Sequence, residues 1–187
     1  MSTLRYGVEQ APGGLSVVQD LLNTAKLPVA PAPDLLDDEA AAQAWVDAAS
    51  TTWGERTGRT PPRIPLSGKD LPALRGFRDR LREWLAGETA DGAPQPLAAE
   101  VVLSDGGLTY GPRGGGAAAV TSLVLLETLL ASHTGSLSRL KTCRNPACGV
   151  AFYDLSRNSA RVWHDMKTCG NVMNLRASRA RKRGSAT

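Results

Sequence analysis

The sequence predicts an α+β fold: a mostly helical N-terminal domain with one small β-hairpin, followed by a small module stapled by a cysteine and histidine cluster. Three observations carry this expectation. Apolar residues recur three and four apart in three stretches before residue 134, which is the pattern of helices that bury one face. Asp105-Gly106 separates two runs suited to strands, and Asp-Gly accepts the positive φ of a hairpin turn. All three cysteines lie after residue 142, in the pattern Cys143-x4-Cys148-x15-His164-x4-Cys169.

Residues 1–12 read as too short and polar for a core element, and Gly13-Gly14 releases the chain into Leu15, Val18, Leu21 and Leu22, a short amphipathic helix ended by Asn23-Thr24. The prolines of residues 28–33 make an extended connector. A second helix starts after Asp34 or Asp37, with Asp38 and Glu39 at its positive end and Trp45 and Val46 as buried anchors. Residues 51–67, with Gly54, Gly58, Pro61, Pro62 and Pro65, read as a loop. Asp70 caps a third helix, with Leu71, Leu74, Phe77, Leu81, Trp84 and Leu85 on one face and Arg75, Arg78, Asp79, Arg82 and Glu83 on the solvated other. The hairpin follows over residues 98–110. The glycine-rich run 111–116 lacks the Gly-Lys-Ser/Thr ending of a phosphate loop and reads as a joint. Residues 117–132, with Leu123, Leu126, Leu129 and Leu130, form an apolar helix read as the centre of the core.

Two short chelating pairs with a spacer of this size suit Zn2+, which takes thiolate and imidazole donors in a closed tetrahedron when its role is structural. The expected ligands of one structural zinc are therefore Cys143, Cys148, His164 and Cys169. The competing reading is three unrelated core thiols and a surface histidine. Asn145, Pro146 and Gly149 suit a tight knuckle around the ion, residues 150–153 a short strand, and Ser159 the cap of a short helix bearing Trp163 and His164. Cys169-Gly170-Asn171 opens a last helix with Met173, Leu175 and Ala177 among Arg176, Arg179, Arg181, Lys182 and Arg183.

From residue 143 to about 181 the chain resembles the CGNR zinc fingers, through Cys143, Cys148, Phe152, Asp154, Ser156-Arg157-Asn158, Arg161, Trp163, Met166 and Cys169-Gly170-Asn171. His164 stands where that family usually has cysteine, which retains a zinc donor, and Val172 where it usually has arginine, which removes a charge. The order of elements before residue 140, with Leu21-Leu22-Asn23-Thr24, the Trp45 helix, the Leu/Arg-rich helix and the hairpin before an apolar helix, more loosely resembles ABATE, the stress-related regulatory domain that usually precedes such fingers. The resemblance implies an ABATE-like domain over residues 13–138, a finger over 141–183, and a nucleic-acid-binding regulator.

Charge is divided unevenly. Residues 141–187 hold ten Lys and Arg against two Asp, or +8, whereas residues 1–140 hold twelve against sixteen acids, or −4. A basic tail on an acidic body attracts phosphate backbones, although a solvated C-terminus gives the same count. Arg157, Arg161, Arg176, Arg179, Arg181, Lys182 and Arg183 are the expected nucleic-acid contacts, with DNA ahead of RNA as partner. A small-molecule or protein effector at the first domain and a second copy of the chain are the further partners considered. The alternative class is a protein- or small-ligand-binding module in which zinc is purely structural. Four protein ligands leave no open position for a catalytic water, and His133 alone lies outside the site, so no enzyme is expected. Without a run of about 18 apolar residues or a signal-like N-terminus, a cytoplasmic protein is expected.

Overall fold

A computed structural model of the protein describes residues 1–30, 32–87, 96 and 98–184. Its order is a 3₁₀ turn Thr3–Tyr6, α1 Leu15–Leu22, α2 Glu39–Thr57, α3 Leu71–Ala86, the hairpin β1 Ala99–Ser104 and β2 Gly107–Pro112, and α4 Gly116–His133. A 3₁₀ turn Ser136–Arg139 then leads into β3 Leu140–Thr142, β4 Ala151–Tyr153, a π-helical turn Met166–Gly170 and α5 Asn171–Gly184. The two antiparallel pairs, β1 with β2 and β3 with β4, form separate sheets, and the helical body with its small strand pairs is the expected α+β class.

The helix at the centre is α1 rather than α4. All eight of its residues are buried, because α2, α3, α4 and β4 pack around it. Four of the eight are the apolar residues that the spacing identified, but Gln19 and Asp20 are just as buried. Asp20 takes the backbone N–H of Thr3 at 2.8 Å and the indole N–H of Trp45 at 3.1 Å. The N-terminal segment thus contributes to the core: Ser2 and Thr3 are buried on Asp20, and Tyr6 and Val8 lie beneath the C-terminal module.

Helix α2 is capped by Asp38, whose carboxylate accepts from the Ala41 N–H at 2.8 Å, and it continues through residues assigned above to a loop. Trp53 explains the extension, since it is 1 % exposed and its indole N–H donates to Glu127 at 2.7 Å. Gly58 ends the helix in the left-handed region. Asp70 precedes α3 but caps α4, accepting from the Ala117 N–H at 2.8 Å while Ser67 also donates to it. These donors hold its carboxyl below the ordinary value. In α3, Leu71, Leu74, Phe77 and Leu81 are buried as expected, Trp84 is half exposed, and Arg78 is buried against Asp34 at 2.8 Å instead of facing solvent.

The hairpin forms with Ser104 opposite Gly107, and residues 111 and 112 belong to its second strand instead of a joint. By length and hydropathy α4 is apolar enough to cross a membrane. It is nevertheless a core helix here, with Val120, Leu123, Val124 and Glu127 buried.

β4 is held by α1 along the edge that β3 leaves open. Asn23 accepts from the Ala151 N–H at 2.9 Å and donates to the Ala151 carbonyl at 2.9 Å, while Gln19 donates to the same carbonyl at 3.2 Å. A carboxamide here satisfies both backbone groups as a neighbouring strand would. Asn23→Ala is therefore expected to cost about 2–4 kcal/mol, because it leaves a buried N–H unsatisfied and weakens its carbonyl's bonding. Urea unfolding followed by tryptophan fluorescence and by zinc release checks this, and both signals should move to lower urea together.

Candidate metal centre

The ligands come from three local structures. Cys143 follows β3 and Cys148 closes a turn in which its N–H donates to the Asn145 carbonyl at 2.8 Å. Inside that turn, Asn145 also fixes itself through the Ala147 N–H at 3.1 Å. Gly149 has φ +75, the conformation a tight reversal after the second ligand requires. Beyond β4, Asp154 organises the segment that presents His164. It accepts from Lys141 at 2.8 Å, from the Ser156 N–H at 2.9 Å and from the Arg161 N–H at 2.8 Å. Ser159 has φ +49 and residues 160–164 form no helix, so the expected short helix there is replaced by an irregular segment. Asp165 starts the π turn instead, accepting from the Thr168 N–H at 2.9 Å, and Cys169 sits at the end of that turn just before α5.

The four ligand atoms of Cys143, Cys148, His164 and Cys169 all lie within 4.8 Å of one another. A tetrahedron with zinc–sulfur bonds of about 2.3 Å has edges of about 3.7 Å, so the set closes on one ion with shifts of tenths of an ångström to about one. Nδ1 is the His164 nitrogen that faces the sulfurs, 3.3 Å from Cys148 Sγ. The sulfurs have donors of their own: Asn145 Nδ2 donates to Cys169 Sγ at 3.2 Å and the Val150 N–H to Cys148 Sγ at 3.5 Å. Asn145 was legible only as a turn residue, since nothing in Asn-Pro announces a donor to a ligand 24 positions away.

Burial pushes the Cys143 and Cys148 thiols up from the ordinary value, so it is the ion that draws off their protons on binding. Burial pushes His164 down, with Arg161 acting in the same direction. A neutral imidazole is the form a metal needs. The cluster therefore fits one structural zinc with three thiolates and an imidazole, and its four protein donors complete the tetrahedron. His164→Cys is expected to retain zinc and His164→Ala to lose it at micromolar protein, as read by competition with a colorimetric chelator.

The residues expected to meet nucleic acid are distributed unequally. Arg176, Arg179, Arg181, Lys182 and Arg183 all lie on α5, whose residues 171–183 are exposed apart from the half-buried Met173 and Ser178. Its main packing is against the π turn that carries Cys169. Met173, Leu175 and Ala177 thus form no buried face, and Val172, in the place of the family arginine, is 44 % exposed. Arg157 is exposed beside the ligand segment. Arg161 is exposed as well, and it also donates to the His164 carbonyl at 2.6 Å and lies over the Phe152 ring at 5.4 Å.

The two parts of the chain meet in continuous packing. Leu140 and Ala151 belong to the main core, whereas Tyr6, Val8, Ala25 and Leu27 pack with the three ligand cysteines, Val150 and Phe152. A search among curated proteins returned no match. The CGNR zinc finger family model matches residues 139–182, the segment that builds the centre and most of α5. The ABATE family model, whose description reads "putative stress-induced transcription regulator", matches residues 15–132, more than half of the chain. On that match the chain belongs to the ABATE family, and it carries a CGNR zinc finger with a Cys3His ligand set directly after the ABATE segment.

Proposed function

We propose that the protein is a nucleic-acid-binding transcription regulator, non-catalytic and cytoplasmic, whose α5 binds duplex DNA chiefly through phosphates. The observation that carries this reading is α5 itself. Cys169 ties its start to the metal centre, and from there about 21 Å of helix runs largely exposed, with five basic residues from Arg176 onward. Arg176, Arg179 and Arg183 are three and four apart and share a face. An exposed cationic helix on a rigid base gains little from the protein's own core, and phosphates are the groups that match it. Arg157 extends the same basic surface toward the ligand segment. Phosphate contacts fix orientation without reading sequence, so preference among sequences is modest or requires a second copy of the chain.

The test is the slope of log affinity against log salt for the zinc-loaded protein on a duplex. Arg179→Gln with Arg183→Gln is expected to weaken binding to all sequences alike and lower that slope by about two, near one unit per lost phosphate contact. Absence of binding at low salt, or an unchanged slope, defeats the reading.

One observation favours the alternative, a ligand-binding module, as an addition. At the N-terminal end of α1 a cavity of about 300 Å3 is lined by Gly14, Leu15, Tyr110, Glu127 and Leu130. Glu127 is buried there, accepting from Trp53 and Tyr110, and Gly14 packs so closely that an added Cβ would stand 1.7 Å from Glu127 Oε2. A small effector in this cavity would touch the helix whose other end holds β4 of the finger.

A further inference from the structure

Two arginines one turn apart on α3 have opposite surroundings. Arg78 is closed by Asp34 at 2.8 Å and by Asp79 at 3.1 Å. Burial would lower its pKa, but these carboxylates hold it above the ordinary value. Arg82 has no carboxylate within ion-pair distance among the described residues. Its guanidinium is part-buried and donates instead to two carbonyls, that of Leu22 at the end of α1 and that of Gly149, the residue after the ligand Cys148. Burial, with Arg78 nearby, moves Arg82 below the ordinary value. Carbonyls satisfy its N–H groups yet carry no net charge, and Asp79 acts on it only from beyond ion-pair distance, so the polypeptide alone compensates this cation weakly.

A further anion lies next to it. Three thiolates and a neutral imidazole around a divalent ion sum to one net negative charge, and that charge is itself buried: Cys148 is 0 % exposed, Cys169 2 % and Cys143 6 %. Cys148 is near enough for its charge to act on Arg82. The guanidinium also passes close over the knuckle, since a Cβ added at Gly149 would stand 3.6 Å from Arg82 Nη1.

We propose that Arg82 is the counter-charge of the zinc–thiolate centre, a positioning residue that α3 of the ABATE segment supplies to the finger and that holds the Cys148 turn through the Gly149 carbonyl. The two needs match: a cation with no carboxylate in ion-pair contact among the described residues, and a buried anionic centre whose other nearby cation, Arg161, is exposed to solvent. Metal affinity in the finger then depends on a side chain from the other family segment, a dependence that neither ligand spacing nor the finger's own residues contain.

The test uses the full-length protein with Arg82→Met, Arg82→Lys and, as a control on the same helix, Arg75→Met, whose arginine reaches Leu36 and Asp37 instead. Zinc affinity is read by chelator competition, and the Co2+-substituted proteins by absorption. Arg82→Met is expected to weaken zinc about 10- to 100-fold, the range found for outer partners of metal ligands. Loss of a cation beside thiolate also moves the thiolate-to-Co2+ charge-transfer band to longer wavelength. Arg82→Lys, which retains the charge without the two-pronged donor, should recover most of the affinity and the original band, and Arg75→Met should change neither. The proposal is overturned if Arg82→Met binds zinc as tightly as the parent. It is equally overturned if Arg82→Lys is as weak as Arg82→Met with the same band shift. Should Arg82→Met fail to fold, the lysine variant decides alone: near-parental affinity with an unshifted band supports the proposal, and a large loss or a shifted band overturns it.

Discussion

Cys169→Ser is expected to release the zinc and to unfold residues 141–183, and also to lower the melting temperature of the remaining body by roughly 10 °C. The first part follows from magnitude. Structural zinc contributes on the order of 10 kcal/mol of apparent binding energy in small fingers, more than three short strand residues on each side of a two-stranded sheet can replace. Cys169 is also the ligand that ties α5 to the centre, so its loss frees the basic helix. The second part follows from the shared packing. Without an ordered β4, Asn23 and Gln19 lose their backbone partners, and Tyr6, Val8 and Leu27 lose the apolar surface of Val150 and Phe152 that covers them. Metal analysis and calorimetry on the two proteins check both parts. One zinc per chain in the variant refutes the ligand assignment, and an unchanged melting temperature for the body refutes the coupling.

Asp154→Ala should destabilise the protein by about 3–5 kcal/mol, the scale for removing one partner of a buried ion pair, and weaken zinc binding with it. Asp154 is fully buried and its partner Lys141 is 24 % exposed, so substitution leaves a largely enclosed ammonium and two backbone N–H groups without their acceptor. Those N–H groups shape the segment that ends in His164. Burial alone would raise the Asp154 pKa, but Lys141 and the donors of Ser156 and Arg161 outweigh it and hold the carboxyl well below the usual range. A carboxylate whose folded value is depressed contributes stability that is fully present above its unfolded value of about 3.9 and lost as pH falls toward the folded one. The stability gap between the parent and Asp154→Ala should therefore be constant at neutral pH and narrow below about pH 4. Chemical denaturation at several pH values measures it, and a gap that widens in acid contradicts the assignment.

Much of the centre was legible in the chain. Ligand identity depends on spacing along a short segment, and 143–169 is local enough for its chemistry to be read from Cys, His and the turn residues between them. The positions of α1, α3, α4 and the hairpin were legible because apolar periodicity and Asp-Gly act within a few residues of themselves. Less was legible wherever a polar residue answers to something distant. Trp53 extends α2 through a turn-rich run because Glu127, far along the chain, takes its indole N–H. Asp70 reads as the cap of the helix it precedes and caps another.

The amino-acid sequence by itself determined the α+β class, the Cys3His ligand set, the acidic body and the basic last helix, since each depends on composition or on residues close in the chain. Only the tertiary structure decided that α1 is the buried axis, that Tyr6 and Val8 underlie the finger, that Asn23 substitutes for a strand, and that Arg78 and Arg82 point inward. Those facts depend on long-range pairing of polar groups. Arginine and asparagine at helical spacing look the same whether their partners are water or a buried backbone carbonyl, and only the packed chain distinguishes the two.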